Sequence, residues 1–178
     1  QHLYWYTTGG RLERQVTKGQ YEVTAFHGYD PATGRFYYTS CEESPLRRAV
    51  YVKEKNGKVR KLSTEQGTNE ATFSTSFKYF MNVYRSATQP YVTTLRSNDG
   101  KVLTTLLDNA DLKAKADATL GQKEFFSFTT GQGVTLNGYM IKPRNFDPSK
   151  KYPVLMYQYS GPGSQEVKDS WGMGFYGA

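Results

Sequence analysis

Tyr159 closes the run Val154-Leu155-Met156-Tyr157-Gln158-Tyr159, which breaks into Ser160-Gly161-Pro162-Gly163. A phenol has a pKa near ~10, so at neutral pH its hydroxyl remains a hydrogen-bond donor. Held where negative charge develops on a reacting carbonyl, one such donor is worth roughly 3–4 kcal/mol of transition-state stabilisation. The run follows Lys151-Tyr152-Pro153 and is nearly continuously apolar, a pattern that suits a strand buried on both faces of a parallel sheet. Ligands of such sheets bind beyond the carboxyl ends of the strands, which is where Tyr159 is expected. The plain alternative is that Tyr159, one of fifteen tyrosines, packs in a core.

Other chemistries are poorly supplied. A Ser-His-Asp triad in an α/β fold presents its serine on a strained Gly-x-Ser-x-Gly elbow, and no such pentad occurs here. Ser164 follows Gly163 but precedes Gln165-Glu166, so it reads as a loop serine. His2 and His27 lie far apart in strand-rich sequence and read as structural. The single cysteine, Cys41, rules out an internal disulfide and, with two distant histidines, makes no metal set. Gly131-Gln132-Gly133 lacks the strand–turn–helix setting of a phosphate loop and reads as a hairpin turn. No cofactor and no metal are expected.

The elements that must position Tyr159 come earlier. Residues 1–109 are short aromatic and β-branched runs, at 2–7, 11–17, 21–27 and 35–40 to begin with, separated by tight turns. The pattern repeats. Leu3-Tyr4-Trp5-Tyr6 before Gly10 is echoed by Val50-Tyr51-Val52-Lys53 before Gly57 and by Tyr91-Val92-Thr93-Thr94 before Gly100. The three glycines stand 47 and 43 residues apart, and Tyr37-Tyr38-Thr39-Ser40 matches Val83-Tyr84-Arg85-Ser86 at an offset of 46. A period in the forties with about four strands per unit is that of β-propeller blades, and the residues alternate at period two rather than 3.6. A single antiparallel sandwich with similar hairpins is the competing arrangement. About two blades are counted, too few to close a ring, and the chain opens already inside a strand, so it reads as a piece of a longer protein.

Residues 110–122 carry the one convincing helical stretch, with Asn109 or Asp111 as its cap and Gly121 at its end. Two strands are expected over 124–129 and 134–141, ended by Lys142-Pro143, with a loop after Gln165. The net charge of +7 raises nucleic acid as a partner, but the basic residues are scattered, Lys58, Arg60 and Lys61 being the densest group. A solvated basic face explains them better. No apolar run approaches the ~20 residues of a membrane helix.

The stretch Gly138-Tyr139-Met140-Ile141-Lys142-Pro143, continuing through Asn145-Phe146-Asp147-Pro148 to Tyr159-Ser160-Gly161-Pro162-Gly163-Ser164-Gln165, resembles the prolyl oligopeptidase family of serine peptidases, closest to its bacterial dipeptide-releasing members. The resemblance implies a mixed fold: a truncated β-propeller of about two antiparallel blades followed by the first strands of an α/β-hydrolase domain. Residues 1–109 would then be the C-terminal blades, 110–122 a helical linker and 123–178 the start of the hydrolase domain. It further implies a serine exopeptidase releasing X-Pro or X-Ala dipeptides from peptide amino termini. In the family the tyrosine of a Tyr-x-Gly-Pro turn donates to the oxyanion, and that position falls on Tyr159. The nucleophile, its partners and the amino-terminus-binding glutamates match nothing in these residues, so the piece alone is expected to be inactive. A homodimeric parent in the periplasm, at the cell surface or secreted is also implied. Another family specificity (oligopeptidase or acylaminoacyl peptidase) and a non-catalytic propeller binding module remain open alternatives.

Overall fold

The computed structural model describes residues 1–159, 161 and 163–172. It consists mostly of antiparallel sheet with little helix. Strands β1 (Tyr4–Tyr6) and β2 (Leu12–Gln15) form a hairpin. Strands β3 (Val23–Asp30), β4 (Arg35–Ser40), β5 (Ala49–Lys53) and β6 (Val59–Lys61) form a four-stranded sheet in chain order. A second such sheet holds β7 (Thr68–Phe73), β8 (Tyr79–Ser86), β9 (Gln89–Ser97) and β10 (Val102–Leu107). Helix α1 (Ala110–Thr119) leads to a final hairpin of β11 (Lys123–Thr129) and β12 (Thr135–Ile141).

The sequence repeat is a repeat of structure. Tyr38 and Tyr84, 46 residues apart, lie on the second strands of the two four-stranded sheets. Gly10, Gly57 and Gly100 each sit in a three-residue hairpin loop closed by the same pair of hydrogen bonds. In the middle one the Gly57 N–H donates to the Glu54 carbonyl at 2.9 Å and the Glu54 N–H to the Lys58 carbonyl at 2.8 Å. All three glycines have left-handed φ values, 83°, 89° and 96° in turn. A side chain there would crowd the neighbouring carbonyl, which is why these loops take glycine. Gly133 repeats the motif between β11 and β12, so the Gly131-Gln132-Gly133 segment is a hairpin turn as expected.

The first four-stranded sheet is the middle layer. One face buries Tyr37, Val50 and Val52 against Leu62 and Phe80, with Phe73 and Phe77 from the second sheet packed on them. Its opposite face buries Val23, Tyr38, Ala49 and Tyr51, covered by Leu3 and Tyr21. Neighbouring Tyr37 and Tyr38 are thus both fully buried while pointing to opposite faces, because each face has a layer to meet. The Tyr37 ring stacks on Phe77 at 5.3 Å. Full burial of a side chain such as Phe80 stabilises the fold by about 1.5–3 kcal/mol.

A polar seam joins the two sheets. Arg48 donates its N–H to the Gly67 carbonyl at 3.0 Å and accepts on its own carbonyl from the Asn69 N–H at 2.9 Å. The Asn69 side-chain amide adds a second bond to that carbonyl at 3.1 Å, and its oxygen accepts from Asn82 at 2.9 Å. Arg96, only 1% exposed, donates to Thr94 at 2.9 Å and pairs with Glu65.

One expectation needs correction and another a refinement. Residues 154–159 do not form a strand. Val154, Leu155 and Met156 are 89%, 79% and 77% exposed, and the described residues place no strand beside them. A parallel strand exists only through its neighbours' hydrogen bonds, so an apolar run by itself does not make one. The described residues therefore hold no parallel sheet. At the helix, Asn109 occupies the cap position with φ 54° but makes no side-chain cap bond. Its amide instead reaches back to the Tyr91 carbonyl at 2.6 Å, and Asp108 accepts from the Ala110 N–H at 3.1 Å.

Candidate functional site

Tyr159 is 60% exposed, at the end of the extended segment rather than in a dry cleft. Its ring folds back over Gly161. A Cβ built on Gly161 would lie 2.5 Å from a ring carbon of Tyr159, so a side chain there would push the ring aside. Gly163 turns the chain with φ 79°. Ser160 and Pro162 of the Tyr-x-Gly-Pro turn lie outside the described residues. His2 bonds to Thr17 and His27 to Thr39, both within the first sheets and away from the turn. Ser164 donates to Glu166 at 2.9 Å, a local loop contact.

Beyond the turn, residues 165–172 have no regular secondary structure, yet they are densely bonded to the sheets. The Gln165 amide donates to the Pro45 carbonyl at 2.6 Å and its oxygen accepts from the Arg48 guanidinium. Asp169 is 8% exposed and satisfied from three segments. Its carboxylate accepts from Arg47 Nε at 3.1 Å and from the Ala87 N–H at 2.9 Å. The Asp169 N–H donates to the Leu46 carbonyl at 2.8 Å, and its carbonyl accepts from the Thr68 hydroxyl at 2.9 Å. Arg85 Nε adds a bond to the Ser170 hydroxyl at 2.7 Å. A buried carboxylate is tolerated because every one of these partners is present.

The β11–β12 hairpin meets the same segment. Lys123 Nζ donates to the Ser170 and Gly172 carbonyls at 3.2 and 2.8 Å and lies 4.5 Å from the Tyr139 ring centre. Burial pushes the Lys123 ammonium pKa down, opposed by the Asp169 carboxylate. Burial pushes the Tyr139 phenol up, helped by the nearby charge of Glu166. A cavity of about 40 Å³, lined by Ala87, Thr88, Lys123 and Trp171 among others, sits under this contact and has room for water rather than substrate.

Residues 1–91 match the family model for the dipeptidyl peptidase IV (DPP IV) N-terminal region. This chain belongs to the dipeptidyl peptidase IV family. It is 34% identical over 175 residues to dipeptidyl peptidase 4 of Arthroderma otae, an alignment covering 96% of this chain and 23% of that protein. A probable dipeptidyl peptidase 4 of Aspergillus clavatus is 33% identical over 174 residues, again covering 96% and 23%. The crystal structure of Porphyromonas gingivalis dipeptidyl peptidase 4 superposes with a TM-score of 0.90 at 44% identity, over 98% of this chain and 25% of that one. The chain thus spans about a quarter of the length of the relatives it matches. The sheets described above are consistent with the propeller-like N-terminal region of dipeptidyl peptidase IV proteins.

Within this family member, sequence reasoning singled out Tyr159 and missed the residues that bond the segment after its turn to the sheets. Arg47, Arg48, Thr68 and Asp169 carry no local signature, and the bond between Arg47 and Asp169 spans 122 residues. Gln165 was visible as the end of the Tyr159 motif, but only its contact with Arg48 reveals what it does.

Proposed function

We propose that this chain is part of a serine exopeptidase that releases X-Pro or X-Ala dipeptides from peptide amino termini. In this reading residues 1–109 are blades of a propeller and residues 123–178 begin an α/β-hydrolase domain. A serine from the hydrolase domain, outside these residues, adds to the carbonyl carbon after the penultimate residue, and its proton passes to the histidine base. The carbonyl oxygen then carries the negative charge, and the Tyr159 O–H donates to it. Collapse of this intermediate expels the downstream amine, which takes the proton from histidine. Water repeats the sequence to free the dipeptide.

The observation that carries the role of Tyr159 is its ring laid on Gly161 in a turn whose far side is bonded to the sheets from Gln165 onward. A donor acts as an oxyanion hole only when it is pre-positioned, and a hold on the residues after the turn supports that reading. The family relationship supports the reaction class. The substrates are therefore peptides with proline or alanine second from the amino terminus. The intact enzyme is proposed to be a homodimer in the periplasm, at the cell surface or secreted. The isolated 178 residues are expected to be inactive, since the nucleophile is not among them.

The test is hydrolysis of Gly-Pro-p-nitroanilide by the full-length protein and its Tyr159→Phe variant. Turnover is expected to fall by about 10²-fold or more with the fold intact. An active enzyme indifferent to the change removes Tyr159 from the site. A full-length protein without activity on this or related substrates removes the peptidase reading altogether.

A further inference from the structure

Tyr159 is six residues from Gln165, where the chain bonds to the loop between β4 and β5. Arg48 holds Gln165, and Arg47 holds Asp169 four residues later. Both arginines belong to the loop between β4 and β5. That loop is immobilised at the seam, because the Arg48 backbone bonds to Gly67 and Asn69 of the neighbouring sheet and bridges Thr68 in parallel. Thr68 in turn donates to the Asp169 carbonyl. The same few residues that fix one sheet against the next therefore grip the segment that follows the Tyr159 turn.

We infer that Arg47 and Asp169, with Arg48 and Gln165, are positioning residues for Tyr159, so that the sheets hold the oxyanion donor in place through an ionic clasp. The inference rests on the role proposed for Tyr159 above. Its physical basis is the chain of constraints. The Tyr159 ring is folded onto Gly161, a left-handed turn follows at Gly163, and among the described residues Gln165 is bonded to the sheets just beyond. Holding that point restrains the short segment that carries the hydroxyl. Asp169 is the strongest grip because four of its polar contacts come from residues 46, 47, 68 and 87, on both sheets. Removing its carboxylate leaves Arg47 without its anion and the Ala87 N–H without its acceptor, while the segment keeps its remaining backbone bonds. The loop then stays near the sheets but loses its exact seat. A displacement of about 1 Å at a reacting centre costs up to roughly 10²-fold in rate.

The experiment is a double-mutant cycle in the full-length enzyme with Gly-Pro-p-nitroanilide. Asp169→Ala and Arg47→Ala are each measured alone and in the Tyr159→Phe background, with Arg47→Lys as the conservative variant and thermal melting as the fold control. Asp169→Ala and Arg47→Ala are each expected to lower kcat roughly 10- to 100-fold with KM within about twofold. In the Tyr159→Phe background they are expected to add almost nothing, because the donor they position is already gone. Arg47→Lys should recover part of kcat. Should Asp169→Ala fail to fold, the half-exposed Arg47 site still gives the cycle. Losses that multiply fully with that of Tyr159→Phe, or an unchanged kcat, overturn the positioning role while leaving the oxyanion role standing. No loss in Tyr159→Phe itself overturns the oxyanion role, and the positioning role falls with it.

Discussion

His27 shows how one side chain records its surroundings. Its Nε2 lies 2.8 Å from the Thr39 hydroxyl, and its ring sits 5.5 Å from that of Phe73. Burial lowers its pKa below the ordinary value of 6.5, since the charged ring loses hydration without gaining a carboxylate. Between the lowered folded value and 6.5 the unfolded chain binds more protons than the native one. Stability therefore rises with pH through that window and is lost as pH falls below about 6.5. The melting temperature should be lower at pH 5.5 than at pH 7.5, and His27→Gln should shrink the difference. An identical pH dependence in the variant would remove His27 as the cause. Sequence reading placed His27 among structural residues, because a lone histidine in a strand-rich stretch has no partner set for chemistry.

At the scale of elements, the hairpin glycines test how far local sequence determines local structure. Gly57 and Gly100 occupy equivalent loops with φ 89° and 96°, so each alanine variant meets the same backbone strain of about 1–2 kcal/mol. Their surroundings differ. A Cβ on Gly57 meets nothing within 4 Å, whereas one on Gly100 would lie 2.6 Å from the Leu62 carbonyl oxygen. Gly100→Ala should therefore depress the melting temperature more than Gly57→Ala, and equal shifts would show that the Leu62 contact relaxes freely. The turns and the blade-like period were legible because Asn56-Gly57 and Asp99-Gly100 carry their own conformational signal. The 154–159 run was misread for the opposite reason. Apolar character announces a wish for burial, but it does not say whether partner strands are at hand. Asn109 holds the cap position as expected, but its amide found the Tyr91 carbonyl, a tertiary partner that helix-start rules do not include.

At the scale of the whole chain, the layered arrangement leaves apolar faces exposed among the described residues. β10 lies at the edge of its sheet, with Val102, Leu103, Leu106 and Leu107 all substantially exposed. Phe126, Phe128, Leu136 and Met140 on the β11–β12 hairpin are likewise exposed, as is the 154–156 run. An open strand edge beside apolar surface is a template for association. The isolated 178-residue chain should give a concentration-dependent mass above the monomer in light scattering, and Leu106→Lys should lower it. A clean monomer at high concentration would contradict this. Long-range bonds were the part of the fold that no stretch of sequence could reveal, and they also order events in time. Each sheet pairs strands that are neighbours along the chain, whereas the Arg47–Asp169 bond closes a loop of 122 residues. At synthesis rates of ~5–20 residues per second, Asp169 leaves the ribosome roughly 6–24 s after Arg47. The sheets close only short loops and have that interval to form. The segment carrying Tyr159 is thus delivered after the sheets, onto a surface already built to receive it.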